Sequence, residues 1–590
     1  MKKRIISILL LSTMIFSFVS CGNNNESSSA QVTSSYSFNV KNKEDKIIKG
    51  VQNTQYAGIQ IPVTYFNDSK IPYLSLTNLT TFMNKIYYTE GSNYLSYTLE
   101  KAGDKTFKIT NSYYNETATI DYNNKTISFS DIYLFQNQSL SEKGTNITIY
   151  NNTATDKKDP LLRIDNASYN KGSTTTIDLN SYASISLPYY EDEGYIPFST
   201  AFDVLFNKLN VKFTIVDDQI FVINSQYEVK YGNYMTQYGE MYYNAGKNEE
   251  LTSEQLNYNY DETCLLFDYF YGLKDILNIS SFDSFFTQQK LKERMLKSSK
   301  EYDKAFKAFT AHYINDFHTT FDLPSAFSSS DEPVIEESSN YQNYLDQYYA
   351  MLGLRYTVMN SEKQDNYSVP AYEVVDDTAI ITLDKFTVLQ NVDKEYSNED
   401  RQYTFRLIAN ALNDINNNTS IKNVVLDLSC NIGGTIDAGI DVVNVFLGHC
   451  DFSMKNLTNG STMTTSYSVD SSLDGVIDDN DHLRDGVNKY VIDSSISFSC
   501  GNYVPCALKE GGVTLLGRRT RGGTCTVASG ISSIGTYFKY SSSYQLSLCK
   551  DGNYSHINNG VTPDYEITDY SSIFDRSKLV TKIHDIQSSK

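Results

Sequence analysis

Three serines, a glycine pair and a histidine are the residues of this chain whose types and settings could carry covalent chemistry. Ser495-Ile-Ser497-Phe-Ser499-Cys500-Gly501-Asn502 follows an apolar run, Lys489–Asp493, and precedes a helix-like stretch, Tyr503–Lys509. A serine at a strand-to-helix turn with small neighbours is where a hydroxyl nucleophile is displayed. The same position also suits a helix N-cap, the commoner job for such a serine. Upstream, the buried-type strand Asn423-Val-Val-Leu-Asp-Leu428 runs into Ser429-Cys430-Asn431-Ile432-Gly433-Gly434. A helix follows, with Ile436, Ile440, Val443 and Leu447 on one face. Strand, glycine pair and helix start leave main-chain N–H groups at the positive end of a helix dipole, suited to an oxyanion or a phosphate. Taken alone, a glycine turn of this kind is more often structural. The six histidines show no His-x-x-x-His spacing and there is no Cys-x-x-Cys. No structural zinc site and no cofactor are expected.

The elements that must position these residues form an α+β multidomain chain. Residues 51–225 alternate apolar and polar positions between Asn, Asp and Gly turns, as in Ala118-Thr-Ile-Asp-Tyr and Thr126-Ile-Ser-Phe-Ser, which reads as β-rich modules. A faint repeat suggests duplication: Ile71-Pro-Tyr-Leu-Ser75 and Tyr195-Ile-Pro-Phe-Ser199 each lead into a short amphipathic stretch. Residues 250–330 change to helical spacing, with Leu256, Leu265, Leu266, Phe270 and then Leu291, Met295, Tyr302, Phe306 and Phe309, enough for three helices ending near Asp316. Ser328–Asn340 reads as an exposed link. Residues 370–575 alternate strand and helix, with Thr378–Leu383 a strand and Ser397-Asn-Glu-Asp400 a capping-box start for a helix bearing Phe405, Ile408, Leu412 and Ile415. That half is α/β.

Composition bounds the function. At roughly 150 residues per domain, a chain of 590 residues holds three or four domains. A formal net charge of −20 makes it a poor partner for nucleic-acid phosphates or an anionic membrane face. Met1-Lys-Lys-Arg4 and the apolar run Ile5–Val19 read as a secretory signal segment, too short to span a bilayer. Phe18-Val-Ser-Cys21-Gly22 resembles a bacterial lipoprotein processing site. That implies loss of residues 1–20, lipidation of Cys21, a flexible tether over 21–50 and an extracytoplasmic, membrane-anchored location. Losing Lys2, Lys3 and Arg4 with that segment leaves a net charge of −23. Of the eight cysteines seven then remain, and seven do not all pair. The β modules could bind a glycan or envelope polymer, although the absence of Trp argues against sugar stacking.

In combination the motifs resemble the C-terminal processing serine peptidases, the tail-specific and tricorn-like family. Val424-Val-Leu-Asp-Leu-Ser-Cys-Asn-Ile-Gly-Gly434 is similar to its strand and glycine loop. Ser497-Phe-Ser499, Ala507-Leu-Lys509 and Gly517-Arg-Arg-Thr-Arg-Gly-Gly523 are similar to its nucleophile helix and following loop, and Gly560-Val-Thr-Pro-Asp564 to its closing motif. The blocks stand in family order over 372–570, and Asp316-Phe-His318-Thr319 resembles the Asp-x-His-Thr motif of the tricorn-like branch. The resemblance implies a crotonase/ClpP-like core and peptide or protein substrates. It makes Ser499 the nucleophile with Ser497 as fallback, and His318 the base, since Gly522-Gly523-Thr524 lacks the lysine many relatives use there. It leaves Gly433, Gly434 and Cys500 as oxyanion-hole amides. The branch's His-orienting acid falls where this chain has Ile557-Asn558-Asn559, so Asn558, or else Asp316 or Asp551, would orient the imidazole. The variants are a Cys500 nucleophile, a Lys539 base, and a Cys500–Cys525 disulfide, against the commoner case of two cysteines buried as small hydrophobes. The segment between His318 and Tyr372 is too short for the PDZ domain of many relatives. The rival readings are an inactive relative that binds peptides and an envelope-polymer-binding lipoprotein.

Overall fold

The computed structural model describes residues 40–48, 56, 58–89, 95–136, 160–209, 211–217, 219–224, 234–247, 249–328, 339–360, 369–388 and 403–589. The signal segment, Cys21, most of the tether, the capping-box stretch Ser397–Asp400 and most of the link after Ser328 lie outside the described residues. Among the described residues no helix is long and apolar enough to cross a membrane.

The α/β half is built on a six-stranded sheet in the order Tyr372–Val375, Thr378–Thr382, Asn423–Asp427, Asn488–Asp493, Thr514–Gly517, Tyr565–Glu566. All pairings are parallel except that of the edge strand Tyr372–Val375. The strand Asn423–Asp427 is apolar without alternation because both of its faces are covered. Val424 and Leu426 pack with Phe405, Ile408, Val443 and Val504, from the helices Thr404–Asn417, Ile436–Leu447 and Cys500–Glu510. Val425 faces the other way, toward Leu579, Ile583 and Ile586 of the helix Arg576–Ser588. Arg576 enters that layer and pairs with buried Asp427 at 2.9 Å and with Glu373 at 3.1 Å.

The helix Asn340–Asn360 covers part of the same face, although the Ser328–Asn340 region reads only as a link. Tyr344 and Arg355 are its only fully buried side chains, so it has no apolar stripe to betray it. Arg355 forks onto Asp384 with N···O distances of 2.7 and 2.6 Å.

A second sheet joins distant parts of the chain. The long strand Tyr537–Lys550 pairs with Thr320–Leu323, Cys525–Ile531, Cys450–Asn456 and Asn553–His556. Its far edge is Leu162–Asn170, which pairs with Thr462–Val469 and so brings the N-terminal half into the sheet. In the N-terminal half itself the two echoed segments meet. Tyr73–Ser75 and Glu193–Pro197 pair antiparallel, Ile196 opposite Leu74, and each leads into helix, Leu76–Thr89 and Phe198–Thr200 with a π turn to Leu205. One hydrophobic cluster continues from Ile48 through these modules into the helices Ser253–Phe270 and Ser299–Ala308 and on to Phe538 and Tyr540.

Candidate active site

Two adjacent parallel strands deliver the two halves of the site. The glycine loop follows Asp427 and the serine turn follows Asp493, both at carboxyl ends of neighbouring strands, where open α/β sheets hold their ligands. Ser499 has φ +57° and ψ −122°, a backbone conformation costly for a residue with a Cβ, by roughly 1–3 kcal/mol. Its N–H is held by the Gly522 carbonyl at 2.9 Å, and its own carbonyl accepts from Asn502 and Tyr503 to begin the helix. The side chain makes no capping hydrogen bond. That separates the two meanings of a serine at a helix start: Ser499 is displayed, half-buried, on a strained elbow rather than spent on the helix.

Ser497, the fallback, is fully buried, with its hydroxyl donating to the Leu428 carbonyl at 2.8 Å and accepting from the Ser494 N–H at 3.0 Å. It is a structural serine. Cys500 lies buried under Gly439, its thiol directed at the Thr435 carbonyl at 3.5 Å and its pKa pushed far up by burial. That environment disfavours a thiolate nucleophile. Cys500 and Cys525 are both free, as are all seven described cysteines, so the proposed disulfide is absent.

His318 comes to the serine turn from a different part of the chain. Its ring packs on that of Phe498, the residue before Ser499, with centroids 4.8 Å apart. Burial lowers its pKa from the ordinary 6.5, while the Asp316 charge and the Cys525 main chain oppose that shift. A neutral imidazole at neutral pH is the form a general base requires. Asp316 serves the loop, not the ring: its carboxylate accepts the His318 main-chain N–H (3.1 Å) and the hydroxyls of Thr319 (2.5 Å), Tyr271 (3.0 Å) and Ser541 (3.0 Å). His318 Nδ1 is buried without a hydrogen-bond partner.

Three expectations require correction. Asn558 does not orient the imidazole; its side-chain oxygen accepts the Thr524 N–H at 3.4 Å and so steadies the Gly522-Gly523 loop. Asp551 sits exposed in the turn between Tyr537–Lys550 and Asn553–His556. Lys539 is ion-paired to Asp322 at 2.8 Å and is committed there.

The glycine loop divides its labour. The Gly433 N–H donates to Asn431 Oδ1 at 2.8 Å, which withdraws it from the oxyanion hole. What Gly433 supplies is room, since a Cβ there would stand 2.8 Å from the Ser499 Cβ. Gly434 has φ +139°, and a Cβ would collide with the Phe386 carbonyl oxygen. The Phe386 carbonyl binds Thr435 N–H and the Phe386 N–H binds the Gly433 carbonyl, an arrangement that leaves the Gly434 N–H outside the bonding of the loop. Among the described residues the Cys500 N–H, at the first position of its helix, likewise has no hydrogen-bond acceptor. Gly434 and Cys500 are thus the two donors of the expected set that the geometry retains.

Arg521, which no motif singles out, also stands at the serine turn. The Arg521 guanidinium lies 4.8 Å from the Phe317 ring centre and 5.0 Å from that of Tyr344, and its main-chain N–H binds the Ser497 carbonyl. Phe317 and Tyr344 stack at 4.7 Å, and Phe317 packs at 5.6 Å on Phe498. Arg521 Nε is buried without a hydrogen-bond partner, and no acid faces it among the described residues. Its only sequence signal was a third cation inside Gly517-Arg-Arg-Thr-Arg-Gly-Gly523.

The structure thus brings a strained serine, a histidine ring packed on its neighbour and a glycine loop to one place. Residues 377–567 match the model of peptidase family S41. Ser499, both loop glycines and Asn558 lie inside the matched segment, and His318 precedes it. No curated protein matches the chain. Among solved structures it is similar to a photosystem II D1 C-terminal processing protease (19% identity, covering 32% of this chain and 42% of that one, TM-score 0.24). It is also similar to a putative peptidase from Parabacteroides merdae (16%, 53% and 90%, TM-score 0.37) and to mature CPAF complexed with lactacystin (10%, 56% and 98%, TM-score 0.35). The chain spans less than half the length of the processing protease.

Proposed function

We propose that this protein is an extracytoplasmic serine peptidase, tethered to the bacterial envelope membrane through lipidated Cys21, that cleaves peptides or proteins through an acyl-enzyme. The carrying observation is Ser499 held uncapped on its strained elbow, with the His318 ring packed on the residue before it. Ser499 Oγ attacks the scissile carbonyl and His318 takes the hydroxyl proton, later giving it to the leaving amine. The Gly434 and Cys500 N–H groups stabilise the tetrahedral oxyanion. Water then releases the acyl group by the same route. Arg521, a cation without a protein acid beside the nucleophile loop, favours substrates with a carboxylate near the scissile bond. The lipid tether is supported by the Cys21 processing site.

A second reading, a relative that binds peptides without cleaving them, is favoured by one observation: among the described residues no carboxylate is hydrogen-bonded to His318 Nδ1. A fluorophosphonate probe applied to the purified mature protein, beside Ser499→Ala and His318→Ala, separates the two. Labelling of the wild type that is lost in Ser499→Ala establishes the peptidase chemistry. Folded wild-type protein that takes no label leaves the binding reading standing.

A further inference from the structure

The loop Asp470–Asp481, between the strands Thr462–Val469 and Asn488–Asp493, plays no part in the peptidase site. Its sequence is Asp470-Ser-Ser472-Leu-Asp474-Gly475-Val476-Ile-Asp478-Asp-Asn-Asp481. Counted from Asp470, oxygen-bearing side chains fall at positions 1, 3, 5, 9 and 12, with Gly at 6 and a main-chain carbonyl available at 7. That is the spacing with which a twelve-residue loop wraps a calcium ion. Ser replaces the usual Asp or Asn at position 3, and the shorter Asp replaces Glu at position 12.

The backbone follows the same plan. Gly475 takes φ +93° and Leu473 φ +60°, the tight left-handed turns such a loop needs. Asp470 accepts the N–H groups of Asp474 (3.1 Å) and Gly475 (3.0 Å), and Asp474 that of Val476 (2.8 Å). Asp481 reaches back to the N–H groups of Ser472 (2.9 Å) and Asp478 (2.8 Å), closing the ends of the loop on each other.

A separate observation points to a cation. Asp441, on the helix Ile436–Leu447 beneath the loop, is 0% exposed. Its Oδ1 accepts the hydroxyl of Ser471, the second residue of the loop, while Oδ2 is buried with no partner. The charges acting on it are Asp481 and Asp470, each 2% exposed, and those two are faced in turn by Asp474 and by each other. Among the described residues the charges that act on Asp441 are both acidic, and His482, which follows Asp481, turns its Nδ1 to the Leu483 carbonyl. Three buried carboxyl groups that face one another must either keep protons or be joined by a cation. Among the described residues no three His, Cys, Asp or Glu side chains are grouped so as to hold a metal ion, and the carboxylates at positions 1 and 12 accept loop N–H groups. A calcium loop also uses hydroxyl, main-chain and water oxygens, which this one offers at Ser472 and Val476.

We propose that Asp470–Asp481 is a calcium-binding loop, with Asp441 as the buried acid that completes its negative field. Its helix begins at the glycine loop of the peptidase site, so an ion here braces the element that presents Gly434.

The test uses the mature chain dialysed against EGTA and titrated with calcium by calorimetry and thermal melting, with magnesium in parallel and Asp474→Asn and Asp481→Asn beside it. Asp474 is exposed, so its variant tests binding without disturbing the core. The expected result is one calcium per chain with Kd on the order of 10⁻⁴–10⁻³ M or tighter, and a melting point that rises with calcium. Asp474→Asn should weaken binding at least tenfold while leaving the melting point in EGTA unchanged. The proposal is overturned if the wild type takes up no calcium at about 10 mM, ten times the weak limit for such loops. Equal responses to magnesium, or binding untouched by both substitutions, overturn it as well. None of these readouts depends on peptidase activity.

Discussion

At the scale of single residues, the site contrasts two serines two positions apart. Ser497 and Ser499 are equivalent in composition and nearly so in spacing, yet one hydroxyl is bonded twice inside the core and the other is left free on a strained turn. The motif register already favours Ser499, and the structural reason is that a carbonyl sixty-nine residues upstream of Ser497 accepts its proton. His318 was legible only through its motif, and its pKa follows from burial. Because burial lowers it below 6.5, the imidazole is neutral across physiological pH and is lost as a base only on acidification. The acid limb of the kcat/KM profile should therefore fall below pH 6.5, and His318→Ala should lower kcat/KM by about 10²–10⁴-fold. A limb at or above 6.5 would assign it to another group. Arg521 makes a prediction of a different kind. Peptides matched except for Glu or Gln near the cleaved bond should differ in kcat/KM by about tenfold in favour of Glu, on the scale of a charge-assisted hydrogen bond. Arg521→Gln should abolish that difference while retaining probe labelling at Ser499.

At the scale of elements, what could be read ahead was what repeats locally. The strands Thr378–Thr382, Asn423–Asp427, Asn488–Asp493 and Thr514–Gly517 each carry a short unbroken apolar run at their centre because the sheet is covered on both faces, and such runs stand out in any sequence. The glycine pair was legible for the same reason: its positive φ values and close approaches admit no side chain. The helix Asn340–Asn360 escaped because it buries little, and the roles of Gly433 and Asn558 escaped because they depend on which acceptor lies nearest in space. The loop bearing His318 shows the consequence. It is short and flanked by a π turn and the four-residue strand Thr320–Leu323, so it owes its shape to one carboxylate that gathers four donors. Asp316→Ala would orphan the buried hydroxyls of Tyr271 and Ser541, at about 1–3 kcal/mol each. The melting temperature and kcat should fall together, whereas Asp316→Asn should recover part of both. If Asp316→Ala melts like the wild type, the carboxylate does not hold the loop.

At the scale of the whole molecule, the N-terminal modules and the helices before His318 share one core, so modules and peptidase should melt together. Glu262 marks that junction. It sits on the helix Ser253–Phe270, 1% exposed, and Oε1 accepts the hydroxyls of Tyr258 (2.7 Å) and of Thr200 (2.9 Å) from the modules. Its Oε2 is buried without a partner. Burial, and after it the Asp203 charge, raise its pKa well above the ordinary 4.5. The folded state therefore holds a proton that the unfolded chain releases above pH 4.5. The stability this supplies is complete below 4.5 and is lost progressively as pH rises toward the folded value. Measured in EDTA, so that no divalent ion contributes, the melting temperature should decline as pH rises above 4.5. Glu262→Gln stays neutral at every pH and presents an amide N–H₂ where Oε2 finds no partner, a constant penalty of about 1–3 kcal/mol. Its melting curve should thus start lower than the wild type at acid pH, decline less steeply and approach the wild type as the medium becomes alkaline. Parallel curves would show that Glu262 is ionised in the folded protein and that the pH response of this core comes from elsewhere.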